Sequence, residues 1–137
     1  MNRNIILLFF LITAGFFTSC KPREQKAQEL LNEGTIMVAQ DRHDEAIDLF
    51  TRAIKLLPEF AQAYTYRGSA KFDIGDLTGA HDDYTKAIEI DPTYAEPYDF
   101  RGRIKLVWSD EDGACEDFKK AYALGRPGMY ERLRRCQ

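Results

Sequence analysis

The sequence repeats itself every 34 residues, and this period constrains the fold more than any other feature of the chain. Self-similarity with a period of about 20 to 50 residues is typical of stacked-repeat folds. Four positions keep the spacing through three copies, and they are Gly34, Gly68 and Gly102; Ala46, Ala80 and Ala114; Phe50, Tyr84 and Phe118; and Ala53, Ala87 and Ala121. The chain is therefore predicted to fold as a stack of three equivalent units.

Each copy is predicted to form two antiparallel helices joined by a short turn. Asp76 and Asp110 supply N-capping oxygens for the second helices, and Asp41 is expected to do the same in the first copy. Pro58 and Pro92 end the second helices of their copies. A helix pair cannot cover its own apolar face, so the pairs should stack and share one core. The predicted helices are 27–39 and 43–57, 61–74 and 77–90, and 95–108 and 111–124.

These spacings closely resemble the tetratricopeptide repeat (TPR) family over 27–60, 61–94 and 95–128. The resemblance implies an all-α fold, a right-handed superhelical stack of three helix-turn-helix repeats. In the third copy Arg126 stands at the place of Pro58 and Pro92, and Gly125 is expected to end the helix instead. Residues 129–137 are predicted to form a C-terminal capping helix. Its arginines, Arg132, Arg134 and Arg135, are expected to face solvent near the helix C-terminus.

The first nineteen residues are predicted to be a signal peptide and are left out of the fold argument. Arg3 gives a positive start, and the apolar run 5–17 is too short to span a bilayer comfortably. Thr18, Ser19 and Cys20 follow, and small residues before a cysteine resemble the lipobox of bacterial lipoproteins, although Phe17 stands where an aliphatic residue is usual. Cys20 is therefore the predicted lipidation site. Ordinary secretory cleavage and an uncleaved anchor are the alternatives.

Residues 20–26 are predicted to be a polar, disordered tether. Without the first nineteen residues the chain keeps 18 basic and 22 acidic residues, a net charge of −4. This balance argues against nucleic acid, which calls for a clustered basic face. Lys21 follows the cysteine, where Asp would favour inner-membrane retention. The expected location is the cell envelope, lipid-anchored and at the outer membrane.

Residues that could carry chemistry are few. His43 and His81 are solitary, and neither has a second ligand at metal-binding spacing. The sequence contains no phosphate-binding loop, nucleophile elbow or His-Glu-x-x-His helix. Paired acids such as Asp82 and Asp83 are expected at helix starts and on exposed faces, where they stabilise the helix dipole. We therefore expect no enzyme activity, no metal and no cofactor.

A recognition surface is what remains. In the family that the chain resembles, the first helices line a concave groove, and the matching places here alternate polar with apolar residues. Tyr66, Phe72 and Phe100 could anchor a peptide, or could pack between first helices and complete the core. Asp73, Asp99 and Arg103 would set register and charge preference. The committed groove residues are Thr65, Tyr66, Ser69, Phe72, Asp73, Asp99, Phe100 and Arg103.

Some members of the family clamp a peptide's terminal carboxylate with Lys, Asn and Arg side chains. The matching places here are Leu31, Thr35, Tyr66, Glu96 and Phe100, so that mode of capture is not expected. Glu96 and Asp99 would favour a basic or neutral segment. The resemblance implies a lipid-anchored scaffold or adaptor that binds a protein or peptide partner. The alternative is an accessory module for a cell-wall glycan or exported polysaccharide, which lacks support because the groove has no dense aromatic platform.

The three cysteines predict one disulfide. Lipidation of Cys20 would leave Cys115 and Cys136 as a pair in an oxidising compartment. Cys115 lies near the start of the sixth helix and Cys136 near the end of the capping helix. Antiparallel packing across the turn near residue 126 would place both at similar height. The alternative is two buried free thiols that never meet.

Overall fold

The computed structural model describes residues 22–136, and every regular element in this part of the chain is a helix. The prediction of an all-α fold is confirmed for these residues. Consecutive helices form antiparallel pairs, and each later first helix packs on the second helix of the pair before it. The elements are α1 (Pro22–Ala39), α2 (His43–Leu56), α3 (Ala61–Asp73), α4 (Leu77–Ile90), α5 (Ala95–Val107), α6 (Glu111–Ala123) and α7 (Tyr130–Leu133), and then a 3-10 turn, Arg134–Cys136.

Two aspartates cap second helices as the sequence predicts. Asp76 accepts a hydrogen bond from the backbone N–H of Gly79 at 2.9 Å, and Asp110 accepts one from Gly113 at 3.0 Å. Each bond satisfies a backbone donor that the first helical turn leaves open. These caps fix where α4 and α6 begin.

The residue before each cap adopts a left-handed backbone. Asp41, Gly75 and Ser109 hold equivalent places and have φ angles of 62°, 85° and 62°. The prediction that Asp41 caps α2 is wrong, because Asp41 makes the left-handed turn and Arg42 takes the cap position without a capping hydrogen bond. Arg42 instead pairs with Glu45 on the exposed surface.

Small residues let the two helices of a pair approach closely. Ala80 is fully buried, and a Cβ added to Gly68 would lie 2.9 Å from the Tyr84 ring and 3.2 Å from the Ala80 carbonyl oxygen. Contacts under 3.4 Å leave little room for a methyl group, so glycine is needed at this crossing. The 34-residue period thus records where backbones and rings meet.

Two polar clusters, each centred on a buried aspartate, join neighbouring helix pairs. Asp83 accepts hydrogen bonds from Arg67 Nε at 2.9 Å and Nη2 at 2.6 Å, and Lys71 Nζ lies 2.9 Å away. Arg67 also donates to Thr51 Oγ1 on α2 at 3.1 Å. The expectation that Asp83 lies on an exposed face is wrong, because this carboxylate is 4% exposed. Its partners satisfy the charge that burial would otherwise penalise.

The second cluster repeats the first one unit along the chain. Asp117 accepts from Arg101 Nε at 2.9 Å and Nη2 at 2.7 Å, and Lys105 Nζ lies 2.9 Å away. Arg101 donates to Thr85 Oγ1 at 3.3 Å. Bidentate arginine–carboxylate pairs are geometrically specific, so both clusters fix the relative position of three helices.

The N-terminal end of the described chain is helical. Residues 22–26 belong to α1, so the prediction of a disordered tether is wrong for them. Proline suits a first helical turn, Lys26 pairs with Glu29 at 3.0 Å, and Arg23 donates to the Leu56 carbonyl at 3.3 Å. The predicted signal peptide and Cys20 lie outside the described residues. Within residues 22–136, no helix is both long and apolar enough to cross a membrane.

The C-terminal segment occupies the place of a further first helix. Gly125, with φ of 84°, follows α6 as expected, and the chain then turns back onto that helix. Met129 is buried at the place that Ala61 and Ala95 hold in the preceding copies, and Cys136 stands at the place of Gly68 and Gly102. The predicted capping helix is therefore real but short, and it comprises α7 and the 3-10 turn.

Candidate functional site

Five of the predicted groove residues line one cavity between the first helices α3 and α5. This α3–α5 pocket has a volume of about 200 Å³. Its lining consists of Ser69, Phe72 and Asp73 from α3, Phe100 and Arg103 from α5, and Tyr84 from α4. The structure thus brings together Ser69, Phe72, Asp73, Phe100 and Arg103 as the stripe of first-helix positions predicts.

The pocket has aromatic walls and a hydroxyl floor. The Tyr84 and Phe100 rings lie 5.5 Å apart, and Ser69 Oγ lies 3.2 Å from the Tyr84 hydroxyl. Ser69 Oγ donates to the Thr65 carbonyl at 3.1 Å, which leaves the Tyr84 hydroxyl to donate to Ser69. Burial is the main cause that raises the pKa of Tyr84 to about 12, so its hydroxyl keeps the proton at neutral pH.

Sequence reasoning placed Tyr84 in the core and missed its part in the pocket. The signal was available, because the equivalent positions carry Phe50 and Phe118, and only the middle copy adds a hydroxyl. A buried tyrosine usually has a hydrogen-bond partner for that hydroxyl. The partner here is Ser69, a groove residue one helix away.

Two predicted groove residues lie outside the pocket. Thr65 is fully buried and donates to the Ala61 carbonyl at 3.0 Å, so its assignment to the groove surface is wrong. Tyr66 is half-buried and packs edge-on against Phe50 with centroids 6.0 Å apart. For Tyr66 the alternative interpretation holds, since the ring packs against the core of the first helix pair. Phe72 and Phe100 do both, since they pack on the Ala80, Tyr84 and Ile104 core while lining the pocket.

Asp99 is buried and neutralised, which corrects its predicted role in selecting a partner. It is 2% exposed and pairs with Arg132 and with Arg126, whose Nε lies 3.4 Å away. Arg126 also pairs with Glu96 at 3.0 Å. The expectation that Arg132 faces solvent is therefore wrong, and the acids that seemed to favour a basic partner are already compensated. A buried carboxylate needs such partners.

Two charges at the rim of the pocket remain for a ligand. The Arg103 guanidinium lies 5.6 Å from the Phe100 ring centroid, and within residues 22–136 it forms no ion pair. Asp73 has only the imidazole of His43 nearby, with Nδ1 at 3.7 Å from its carboxylate. The pocket therefore offers one cation from α5 and one carboxylate from α3.

The structure joins the other predicted pair, Cys115 and Cys136, in a disulfide with Cα atoms 5.5 Å apart. The bridge connects α6 to the end of the 3-10 turn. Neither histidine forms part of a metal site, because no group of three His, Cys, Asp or Glu in the described chain could hold an ion. His81 packs on Trp108 with ring centroids 5.0 Å apart.

These features define a class, a stacked helical-repeat protein with a pocketed first-helix face. Residues 61–94 match the family model described as tetratricopeptide repeat. The chain is a protein of the tetratricopeptide repeat family. No curated protein sequence matches it significantly.

Solved structures with the same fold are TPR domains. One is the first TPR of Spaghetti (RPAP3) bound to the HSP90 peptide SRMEEVD, which is 26% identical with a TM-score of 0.77, covering 81% of this chain and 90% of that chain. The first TPR domain of human RPAP3 is 25% identical with a TM-score of 0.76, covering 81% and 89%. The Sgt2 TPR domain from Aspergillus fumigatus is 26% identical with a TM-score of 0.73, covering 79% and 74%.

Proposed function

We propose that this protein is a scaffold or adaptor that holds a peptide segment of a partner protein in its first-helix groove. The observation that carries the proposal is the α3–α5 pocket, in which residues from three helices converge on one cavity. The similar Spaghetti domain is bound to a peptide, which supports the same class of ligand here.

The chemistry of the pocket favours one apolar side chain flanked by peptide groups. Its volume of about 200 Å³ is below the range of about 300–1,000 Å³ that is usual for small-molecule sites. Phe72 and Phe100 provide apolar walls, while Asp73 and Arg103 can meet a backbone N–H and a backbone carbonyl. A neutral segment satisfies both, because the acids of α5 are already paired.

The ligand is expected to differ from that of a carboxylate clamp. The clamp positions carry Leu31, Thr35, Tyr66, Glu96 and Phe100, and Glu96 is engaged by Arg126. These side chains supply no free cation for a terminal carboxylate. Arg103 is the unpaired cation of the pocket, and it lies beside an aromatic wall rather than in a cationic cluster.

Photocrosslinking in intact cells tests this proposal. A photoreactive amino acid at position 103, on the pocket rim, should capture one recurring protein. The matched control carries the same group at position 86, which is exposed on the second helix α4. A Phe100→Ala change in the position-103 variant should reduce the captured product by about tenfold, because it removes an aromatic wall of about 1–2 kcal/mol. Equal products from positions 103 and 86 would contradict the groove assignment.

We further propose that the domain is held at the bacterial cell envelope by lipid on Cys20. The support is the apolar run followed by Thr18, Ser19 and Cys20, and Lys21 favours the outer membrane. Two or more acyl chains anchor a protein stably, whereas a single chain binds only marginally.

The Cys20→Ala variant should therefore leave the membrane fraction or accumulate as uncleaved precursor. Fractionation after a high-salt wash, with acyl labelling of the parent chain, measures both outcomes. An uncleaved helix rather than lipid would be the anchor if the variant stayed in the washed membranes and the parent chain took up no acyl label.

A further inference from the structure

A second cavity, larger than the α3–α5 pocket, opens at the C-terminal end of the stack. This end cavity has a volume of about 680 Å³ and shares no lining residue with the α3–α5 pocket. Its apolar part is formed by Leu106 of α5, Phe118 of α6 and the disulfide between Cys115 and Cys136, and its charged rim comprises Glu111, Glu131, Arg132 and Arg135. The groove proposal leaves this surface without a role.

The preceding repeat shows what fills the equivalent space. Leu106 and Phe118 stand 34 residues after Phe72 and Tyr84. Against Tyr84 packs Ile104 of α5, which is fully buried. One helical turn further along, Trp108 covers His81, the residue equivalent to Cys115. The filler in the middle of the stack is thus a helix with an aliphatic and an aromatic residue at i and i+4.

The C-terminal segment supplies only the start of such a helix. Met129 and Cys136 take the places of Ala95 and Gly102, and α7 with its 3-10 turn covers the part of α6 beneath them. Within residues 22–136, no side chain occupies the places that Ile104 and Trp108 hold one repeat earlier. The cavity is therefore a continuation of the α4–α5 interface, with one side formed and the other open.

Charge at the rim limits what can enter. Arg132 is engaged by Asp99, and Glu131 pairs with Arg134 at 3.1 Å. Glu111 and Arg135 form no ion pair among the described residues. One acid and one base are available, so an occupant with both signs beside its apolar face is complementary.

We propose that the end cavity docks a short amphipathic helix from a partner protein, with an aliphatic residue followed four places later by an aromatic one. The helix continues the stack as α5 does on α4. The disulfide holds the cap against α6, so the site is formed before the helix arrives, which lowers the cost of ordering on binding. This surface is additional to the groove.

The probe for a test is a helix-stabilised, fluorescent peptide with the sequence of residues 101–110 of this chain, which carries the Ile104 and Trp108 side chains. It should bind the disulfide-intact protein saturably in anisotropy titrations. A peptide with aspartate at both places should bind at least about tenfold more weakly, because it loses two buried apolar side chains. The protein variant Leu106→Asp should lose affinity to the same extent.

Two matched variants and one map locate the binding. Val107→Asp changes the neighbouring residue, which is 60% exposed, and Arg103→Glu changes the α3–α5 pocket, so both should keep the affinity of the parent chain. Amide shifts in the unmodified protein should cluster at Leu106, Glu111, Cys115 and Phe118, independently of whether any variant folds. Absent saturation, full affinity in Leu106→Asp, or shifts confined to the α3–α5 pocket would overturn the proposal. Self-association that Leu106→Asp abolishes would also overturn it, since the occupant would then be a second copy.

Discussion

The Ala80→Leu variant is expected to have a free energy of unfolding about 1–3 kcal/mol below that of the parent chain. Ala80 is fully buried where α4 crosses α3, and its carbonyl oxygen leaves little room beside Gly68. Three extra heavy atoms must push the helices apart or force the Tyr84 ring from its place. The effect should be large because neighbouring pairs pack on both sides of this crossing. Urea unfolding followed by circular dichroism measures it.

Thr78→Leu is the matched control, since Thr78 is exposed on the same helix. It adds apolar volume without entering the crossing and should change stability by less than about 0.5 kcal/mol. An Ala80→Leu midpoint equal to that of Thr78→Leu would show that the crossing has room for a larger side chain. The close approach of α3 and α4 would then be wrong.

Removing the disulfide is expected to lower the free energy of unfolding by about 3 kcal/mol in the chain-entropy model. The bridge joins residues 21 apart and restrains the unfolded chain accordingly. In the folded state it also holds a short cap, whose other anchors are the buried Met129 and the Arg132–Asp99 pair. The double variant Cys115→Ser, Cys136→Ser should therefore lose stability and expose the end cavity. Urea midpoints with and without reductant measure the first effect, and hydrogen exchange at Met129 to Cys136 measures the second.

Reductant should destabilise the parent chain but leave the double serine variant unchanged, which separates the bridge from general effects of the additive. Alkylation without reductant gives an independent answer by intact mass. Uptake of two alkyl groups by the unfolded domain would mean that Cys115 and Cys136 are free thiols.

The helices were predictable because their signals are local and repeated. The period of 34 residues places Gly68 against Tyr84 by requiring the same small and aromatic residues in every copy. The left-handed residue was harder to predict, since Asp41 has the composition of a cap but occupies the place of Gly75. Aligning the copies residue by residue, rather than by residue type, distinguishes the two roles.

The site was predictable to the extent that it follows one helical stripe. Ser69, Phe72 and Arg103 meet in the pocket because first-helix positions recur on one face. Asp99 failed because its partner Arg132 lies 33 residues away, in a segment outside the repeat pattern. A periodic sequence says where its own positions point and does not say which distant charge reaches them.

The two polar clusters bear on how a chain like this can change length. Each takes a threonine from one unit and an arginine and an aspartate from the next, at matching positions. A tandem duplication of residues 61–94 would set Thr85 of the first copy before Arg67 of the second, and Thr85 of the second before Arg101. Both new junctions would carry the native set of partners. The number of units is thus open to alteration by a single genetic event, with no compensating substitution at either boundary.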